Sequence, residues 1–495
     1  MKPMPLEFLD TSLVEHTHFL SRRVTPIKRL HDRPLFAGIP EAGTPHGSDI
    51  ATVLKGPDGV IRMWYRAKVP MPGMPLSGRY LRAGSWTLRY AESKDGTTWT
   101  FPKLGLKEVD GTRENNVVLS YAGWLGPKVD AEKMPKPDLD AAGRPLDVVC
   151  ILDRKLTPLP NTRGRYTALS DHGESLAYSD DGLTWTAYPE NPVVHLAGSD
   201  TYNHLIYDPA IKRYVIFHRP HPNIHAGWPR ANRLVARIES PNLVDWDWDS
   251  ARCVLDTDSR DVPAVNSHLP TDKARGRLKQ FYGMPVGAYG NMFLGFSQLL
   301  DDSRDGWFDV HLVWSRDGIE WKREATGAPI LALPGPGHWD SGMVWTRPPI
   351  QIGNTLYFYY VGSNMSHQYK TMNDAPEEVR RIGVGTVPRN RLVGYHAGTQ
   401  EGQLLTRPFV LESPRLTLNA NAAGGEVRVA VAKGNGTRVS GMSLKECTAI
   451  TQDGFELPVT WENGKSLDDM VGKRIRLRIS ARNAAIYGVG YAGEQ

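Results

Sequence analysis

The sequence predicts an all-β chain: a five-bladed β-propeller over residues 41–398, then a C-terminal antiparallel β-sandwich over 399–495, with residues 1–40 as an N-terminal lead-in. Three observations predict it. A seven-residue turn motif recurs at wide intervals, short β-type runs surround each copy, and apolar residues seldom fall at helical spacing.

The motif comes first. Ser93-Lys94-Asp95-Gly96-Thr97-Thr98-Trp99 returns as Ser179-Asp180-Asp181-Gly182-Leu183-Thr184-Trp185 and as Ser315-Arg316-Asp317-Gly318-Ile319-Glu320-Trp321. A looser copy is Ser240-Pro241-Asn242-Leu243-Val244-Asp245-Trp246. Asp-Gly supplies a tight turn with positive φ at glycine, Ser and Asp can bond the turn's own backbone, and Trp packs back on the sheet. This is a hairpin staple, and its Asp residues are structural. A spacing of about 60 to 86 residues suits one large blade with variable loops. Runs such as Val60–Ala67, Arg213–His218 and Asn291–Gln298 precede the staples, and a last unit lacks one. Radial repetition of such units protects sheet edges, which is the reason to prefer a propeller. Beyond His396 the pattern changes to apolar/polar alternation, as in Val427-Arg428-Val429-Ala430-Val431, broken by Asn435-Gly436 and Asp453-Gly454 turns. That is a half-buried antiparallel pattern of sandwich type.

Composition narrows the class. The 495 residues exceed one ordinary core, and 48 Gly, 37 Pro and 14 Trp suit turns and strands better than long helices. Net charge is +5, with the basic residues scattered, so a nucleic-acid partner is not expected. Cys150, Cys253 and Cys447 lie far apart, which argues against disulfides and a cysteine zinc site. His204, His218, His221 and His225 sit in strand and Pro-rich loop, where helical metal-ligand spacing does not apply. No cofactor and no metal ligand are expected, although an oxygen-held calcium or sodium ion in the propeller channel is compatible with the pattern. No apolar run reaches transmembrane length and residues 1–35 lack a signal-peptide core. The chain as written reads as cytoplasmic, or as secreted or periplasmic if a leader was removed.

Three strand heads carry an Asp: Gly47-Ser48-Asp49, Gly198-Ser199-Asp200 and Trp339-Asp340-Ser341-Gly342. In a propeller these would face one axial pocket. Glycoside hydrolysis needs one protonated and one ionised carboxyl group flanking the scissile bond, so Asp49, Asp200 and Asp340 are the catalytic candidates. Arg66 and Arg219 close equivalent strands near the same rim, where a guanidinium fork could bind a sugar carboxylate or orient an Asp. Tyr202, Asn203, His204, His268 and Trp339 complete the substrate-binding candidates, the rings as stacking platforms.

These units, with Tyr90-Ala91-Glu92-Ser93-Lys94-Asp95-Gly96-Thr97-Thr98-Trp99 and Trp339-Asp340-Ser341-Gly342-Met343-Val344, resemble the five-bladed propellers of glycoside hydrolase families 32, 43, 68 and 117. The added sandwich is similar to the layout of family 32. The resemblance spans about residues 40–495 and implies a base or nucleophile at Asp49 and a pKa-tuning Asp at Asp200. The usual general-acid Glu has no counterpart, and the fructan-enzyme motifs are absent. Asp340, Glu174 and His204 are the candidates for the proton donor, with Asp200 expected as tuner or acid and Asp340 as acid or sugar ligand. The expected function is exo-acting glycoside hydrolysis of a terminal sugar on an oligosaccharide or glycan. The alternatives are a polysaccharide lyase or uronate-acting enzyme, using His204, Tyr202 and Arg219, or a non-catalytic glycan-binding propeller.

Overall fold

The computed structural model describes residues 6–42, 47–69, 85–109, 111–122, 137–170, 174–196, 199, 203–220, 233–261, 279–324, 326–368 and 380–493. Among these the protein is all-β, its only helical pieces being 3-10 turns. None is long and apolar enough to cross a membrane. The chain divides into two compact units: Ile27–Arg323 with Pro329–Thr386, and Met1–Pro26 with Glu324–Ala328 and Val387–Gln495.

The larger unit is built from antiparallel meanders in sequence order. The first sheet runs Ser48–Lys55, Ile61–Lys68, Ser85–Ser93, Trp99–Thr100, with Val117–Ala122 added on the third strand. The second runs Val148–Asp153, Tyr166–Ser170, Leu176–Ser179, Thr186–Ala187. The third runs His204–Asp208, Arg213–His218, Val235–Ser240, Asp247–Leu255. Two further meanders, centred on Met292–Asp301 with Trp307–Ser315 and on Thr355–Ser363 with Arg380–Pro388, join into a ten-stranded sheet. Their link is one parallel contact, Phe308 beside Met343.

The staples form as hydrogen-bonded turns. Asp95 Oδ1 accepts from the backbone of Thr97 and Thr98, Asp181 Oδ1 from Leu183 and Thr184, and Asp317 Oδ1 from Ile319 and Glu320, all at 2.7–2.8 Å. Each motif serine accepts from the glycine N–H. Gly96, Gly182 and Gly318 have φ of +82°, +78° and +67°, the region where a side chain is strained. In the looser copy Asn242 Oδ1 replaces the carboxylate and Leu243 takes the glycine position at φ +74°. Burial of Leu243 in the core between the second and third sheets accompanies that strain.

Each regular staple also docks on another sheet. Trp64 of the first sheet donates to Gly182 O of the second at 2.7 Å, and Arg237 of the third to Asp317 O at 3.2 Å. Tyr359 of the last meander donates to Gly96 O of the first sheet at 2.8 Å. First strands are tied in the same order: Ile151 N–H to Thr52 Oγ1 (2.8 Å), then Cys150 to Leu205 O (3.4 Å). Trp345 Nε1 donates to Asp49 Oδ1 (3.1 Å) and Arg347 Nε to Ile50 O (2.7 Å), so the last meander contacts the first sheet. Apolar cores fill these sheet-to-sheet spaces, one of them combining Ile50 and Met63 with Phe308, Trp345 and Tyr359.

The smaller unit holds two antiparallel sheets. One orders Ser21–Val24, Val393–His396, Ala485–Tyr491, Leu416–Asn421, Asp453–Pro458, and the other Val14–His18, Gly402–Thr406, Arg474–Arg482, Phe409–Val410, with Glu426–Lys433 also on Arg474–Arg482. Their apolar positions, such as Leu418, Ile486, Val429 and Leu477, share one core. Alternation explains this directly, because Val427, Val429 and Val431 of Glu426–Lys433 are buried while the residues between them are only half-buried. Residues 14–24 supply strands to both sheets.

Candidate active site

Asp49 and Arg66 are cross-strand partners in the first hairpin, so local register alone brings them together. Arg66 Nη2 lies 2.6 Å from Asp49 Oδ2, and its Nη1 lies 3.0 Å from Asp147, the residue just before the second sheet's first strand. Asp49 Oδ1 accepts from its neighbour's N–H, Ile50, at 2.8 Å and from the indole of Trp345. Asp49 is completely buried. Burial pushes its carboxyl upward, but the charges of Arg66, Arg347 and Arg380 and the Arg66 hydrogen bond outweigh that and hold it below the usual carboxylate range. Arg380 in turn lies over the Trp345 ring, 5.3 Å from its centroid, and Arg66 over Trp86 at 5.9 Å. The group is therefore an ionised carboxylate in a frame of guanidinium and indole.

His204, at the head of the third sheet's first strand, is also buried. Burial and the charge of Arg347 pull its pKa down to about 3, against a backbone hydrogen bond with Val286. It is a neutral imidazole at physiological pH, and Nδ1 has no hydrogen-bond partner among the described residues. Arg347 acts electrostatically on Asp49, His204 and Cys150, residues of the first three sheets.

The remaining sequence candidates separate. Asn203 is buried and bonds Ser199, whose hydroxyl donates to Asn203 Oδ1 at 2.6 Å and accepts from Arg219 N–H at 3.2 Å. Arg219 is half-buried over Tyr282 (5.8 Å), which Arg233 also approaches (5.3 Å). Asp340 is buried and paired with Arg29 (2.8 Å), and Tyr360 donates to it at 3.2 Å. Trp339 stacks on the same Tyr360 ring. The bonding partners named for Asp340 thus lie on other strands than those of Asp49. Glu174 is held by Arg144 and by His195 at 3.1 Å. Asp200, Tyr202 and His268 lie outside the described residues. Asp208 accepts from Ala210 N–H in a turn, and Glu92 and Glu239 take up Tyr90 and Arg237. No group of three or more His, Cys, Asp or Glu able to hold a metal occurs among the described residues.

Sequence reading passed over Asp147, Trp345, Arg347 and Arg380. A signal existed for Asp147, a fourth Asp at a strand head without the Gly-Ser prefix. Another existed for Arg347, which ends Trp345-Thr346-Arg347 much as Arg66 ends Trp64-Tyr65-Arg66.

No protein-family model and no curated protein matches the sequence. Among solved structures the chain is similar to a glycoside hydrolase, at 14% identity over 77% of this chain and 93% of that one, TM-score 0.41. It is similar to a β-1,2-mannobiose phosphorylase from Listeria innocua in complex with β-1,2-mannobiose, at 14% identity over 74% and 98%, TM-score 0.42. A glycosyl hydrolase from Bacteroides ovatus matches at 14% identity over 74% and 95%, TM-score 0.39. None of these likenesses bears on the chemistry of the site, which rests on its side chains.

Proposed function

We propose that this protein is a carbohydrate-active enzyme, a glycoside hydrolase that removes the terminal sugar of an oligosaccharide or glycan. The observation that carries the reading is Asp49, a completely buried carboxylate kept ionised by Arg66, Arg347 and Arg380. Two-carboxylate hydrolysis needs such an ionised member, to act as nucleophile or base and to face the oxocarbenium charge. Asp49 takes that role and is unsuited to donate a proton. The acid falls to Asp200, because Asp340 is engaged by Arg29, Glu174 by Arg144 and His195, and His204 is neutral. The reaction so drawn calls on side chains alone for proton transfer and charge stabilisation. Arg219, Asn203, Tyr202, His268 and Trp339 stay in the proposal as substrate-binding groups.

The scaffold we infer for it is a closed five-bladed propeller joined to a β-sandwich. The hydrogen bonds from sheet to sheet, with Trp345, Arg347 and Tyr359 of the last meander bonded to the first, support closure. A central funnel favours exo action. The test is release of sugar from a panel of aryl glycosides and oligosaccharides by the wild type, Asp49→Asn and Asp200→Asn. Each variant should keep its far-ultraviolet spectrum and lose at least about a thousandfold in kcat/KM. Turnover near wild type in either variant refutes its assigned role.

A further inference from the structure

Strand Arg474–Arg482 alternates core residues with arginines. Ile475, Leu477, Ile479 and Ala481 lie in the sandwich core, so Arg474, Arg476, Arg478 and Arg482 stand on the opposite, outward face of their sheet. Ser480 is the one break in the row, and there the register sets Arg428 of the adjacent strand directly beside it. Five arginine positions therefore follow one another at intervals of about 6.8 Å, over about 27 Å of sheet.

The row is held in position and accessible. Arg478 donates from Nε and Nη2 to Gln403 Oε1 (3.1 and 2.7 Å), Arg476 from Nε to Gly434 O (3.0 Å) and Arg474 from Nη2 to Pro408 O (3.2 Å). Neutral acceptors of this kind fix the guanidinium planes without cancelling their charge. Ala430 and Ala432 are the cross-strand partners of Arg478 and Arg476, so no long side chain opposes either on that edge. Among the described residues, the row's ion pairs are Arg476 with Glu15 (2.6 Å) and Arg428 with Glu426 (3.1 Å), whose acids are 38% and 43% exposed. Exposed pairs contribute little, so an incoming anion can displace them. Glu401, held by Gln403, feels the charges of Arg482 and Arg478 but is in ion-pair contact with neither.

Regularly spaced forks along one line match a linear polyanion better than a single small anion. The face offers no ring platform: Phe409, the one Phe, Tyr or Trp of these five strands, packs on the core. Sheets that hold single-stranded nucleic acid stack its bases on such rings. Charge and hydrogen bonds without rings suit an acidic polysaccharide instead. We propose that this face of the sandwich binds a linear acidic polysaccharide, with its carboxylate or sulfate groups along the arginine row. The proposal goes beyond the hydrolase reading and needs nothing from Asp49.

The test is biolayer interferometry of the full chain on immobilised polygalacturonate, dextran sulfate, neutral dextran and single-stranded DNA. At least one acidic polysaccharide should bind about tenfold or more tightly than neutral dextran at low salt, and raising salt to about 0.3 M should weaken it steeply. The carboxylate and sulfate arms identify the preferred anion. Arg474→Gln/Arg478→Gln/Arg482→Gln, at exposed positions, should weaken that binding about tenfold. Lys94→Gln/Arg154→Gln/Lys155→Gln makes the same charge change at exposed positions of the larger unit and should leave it unchanged. Should loss of the Gln403 bond unfold the first variant, Arg474→Gln/Arg482→Gln retains it and should still weaken binding about threefold or more. No binding, no loss in the row variants, or an equal loss in the control set overturns the site. DNA bound as tightly as the acidic polysaccharides overturns the polysaccharide assignment. Turnover of a small aryl glycoside should be the same in row variants and wild type, and its absence from both would refute the hydrolase reading alone.

Discussion

Lowering the pH from 6.5 to 4.5 should destabilise this protein through His204 in particular. In the unfolded chain His204 takes a proton near 6.5; in the fold, burial and Arg347 delay that to about 3. Above pH 6.5 both states are neutral and the residue contributes no pH dependence. Below it the unfolded state gains a proton that the folded state refuses, so stability falls as pH falls, at up to about 1.4 kcal/mol per pH unit. Two pH units therefore remove about 2.5 kcal/mol, a large share of a typical folding free energy of roughly 5–15 kcal/mol. Other groups titrate in the same range, so the assay is a difference. Urea unfolding is followed at several pH values for the wild type and for His204→Gln, which has an amide N–H to offer Val286 and no titration. The gap between the two stabilities should narrow or reverse by about 2.5 kcal/mol as pH drops to 4.5. Parallel curves across that interval would refute the argument and would mean that His204 reaches water or a counter-charge.

Two further outcomes test the frame around the site. Gly182→Ala puts a methyl at φ +78° and 2.7 Å from the Trp64 ring; urea titration should show a loss of about 2–4 kcal/mol, whereas alanine at Gly59, also at positive φ but with nothing within 4 Å, should lose only about 1–2. Arg66→Met leaves Asp49 buried without its closest cation and should cost about 3 kcal/mol or more; in a double-mutant cycle with Asp49→Asn the two effects should be non-additive by more than about 1 kcal/mol. The Asp49 pair has the usual carboxylate sign: its contribution is complete above the unfolded value near 4 and disappears as pH falls through the lower folded value.

The staples and the strands between them were legible because their causes are local. Ser, Asp and Gly within four residues suffice to close each turn, and alternation within eight residues suffices to bury one face of Glu426–Lys433. Half of the candidate site was legible for the same reason. Asp49 and Arg66 face each other across one hairpin, and both stood out at strand ends. Asp340 stood out locally through its Trp-Asp-Ser-Gly setting, but its ion pair with Arg29, 311 positions away, had no local sign. Trp345, 296 positions from Asp49, gave no comparable sign.

What the amino-acid sequence determined by itself is the menu of strands and turns, the acidic strand heads and the Asp49–Arg66 pair, since hydrogen bonds and side-chain alternation within a hairpin depend only on near neighbours. What tertiary structure alone decided is the charge state and company of those groups. Arg347 and Arg380 reach Asp49 only because the last meander packs on the first sheet. Burial then makes their fields strong enough to keep Asp49 ionised and His204 neutral, an effect of low local dielectric and distance that no spacing along the chain encodes.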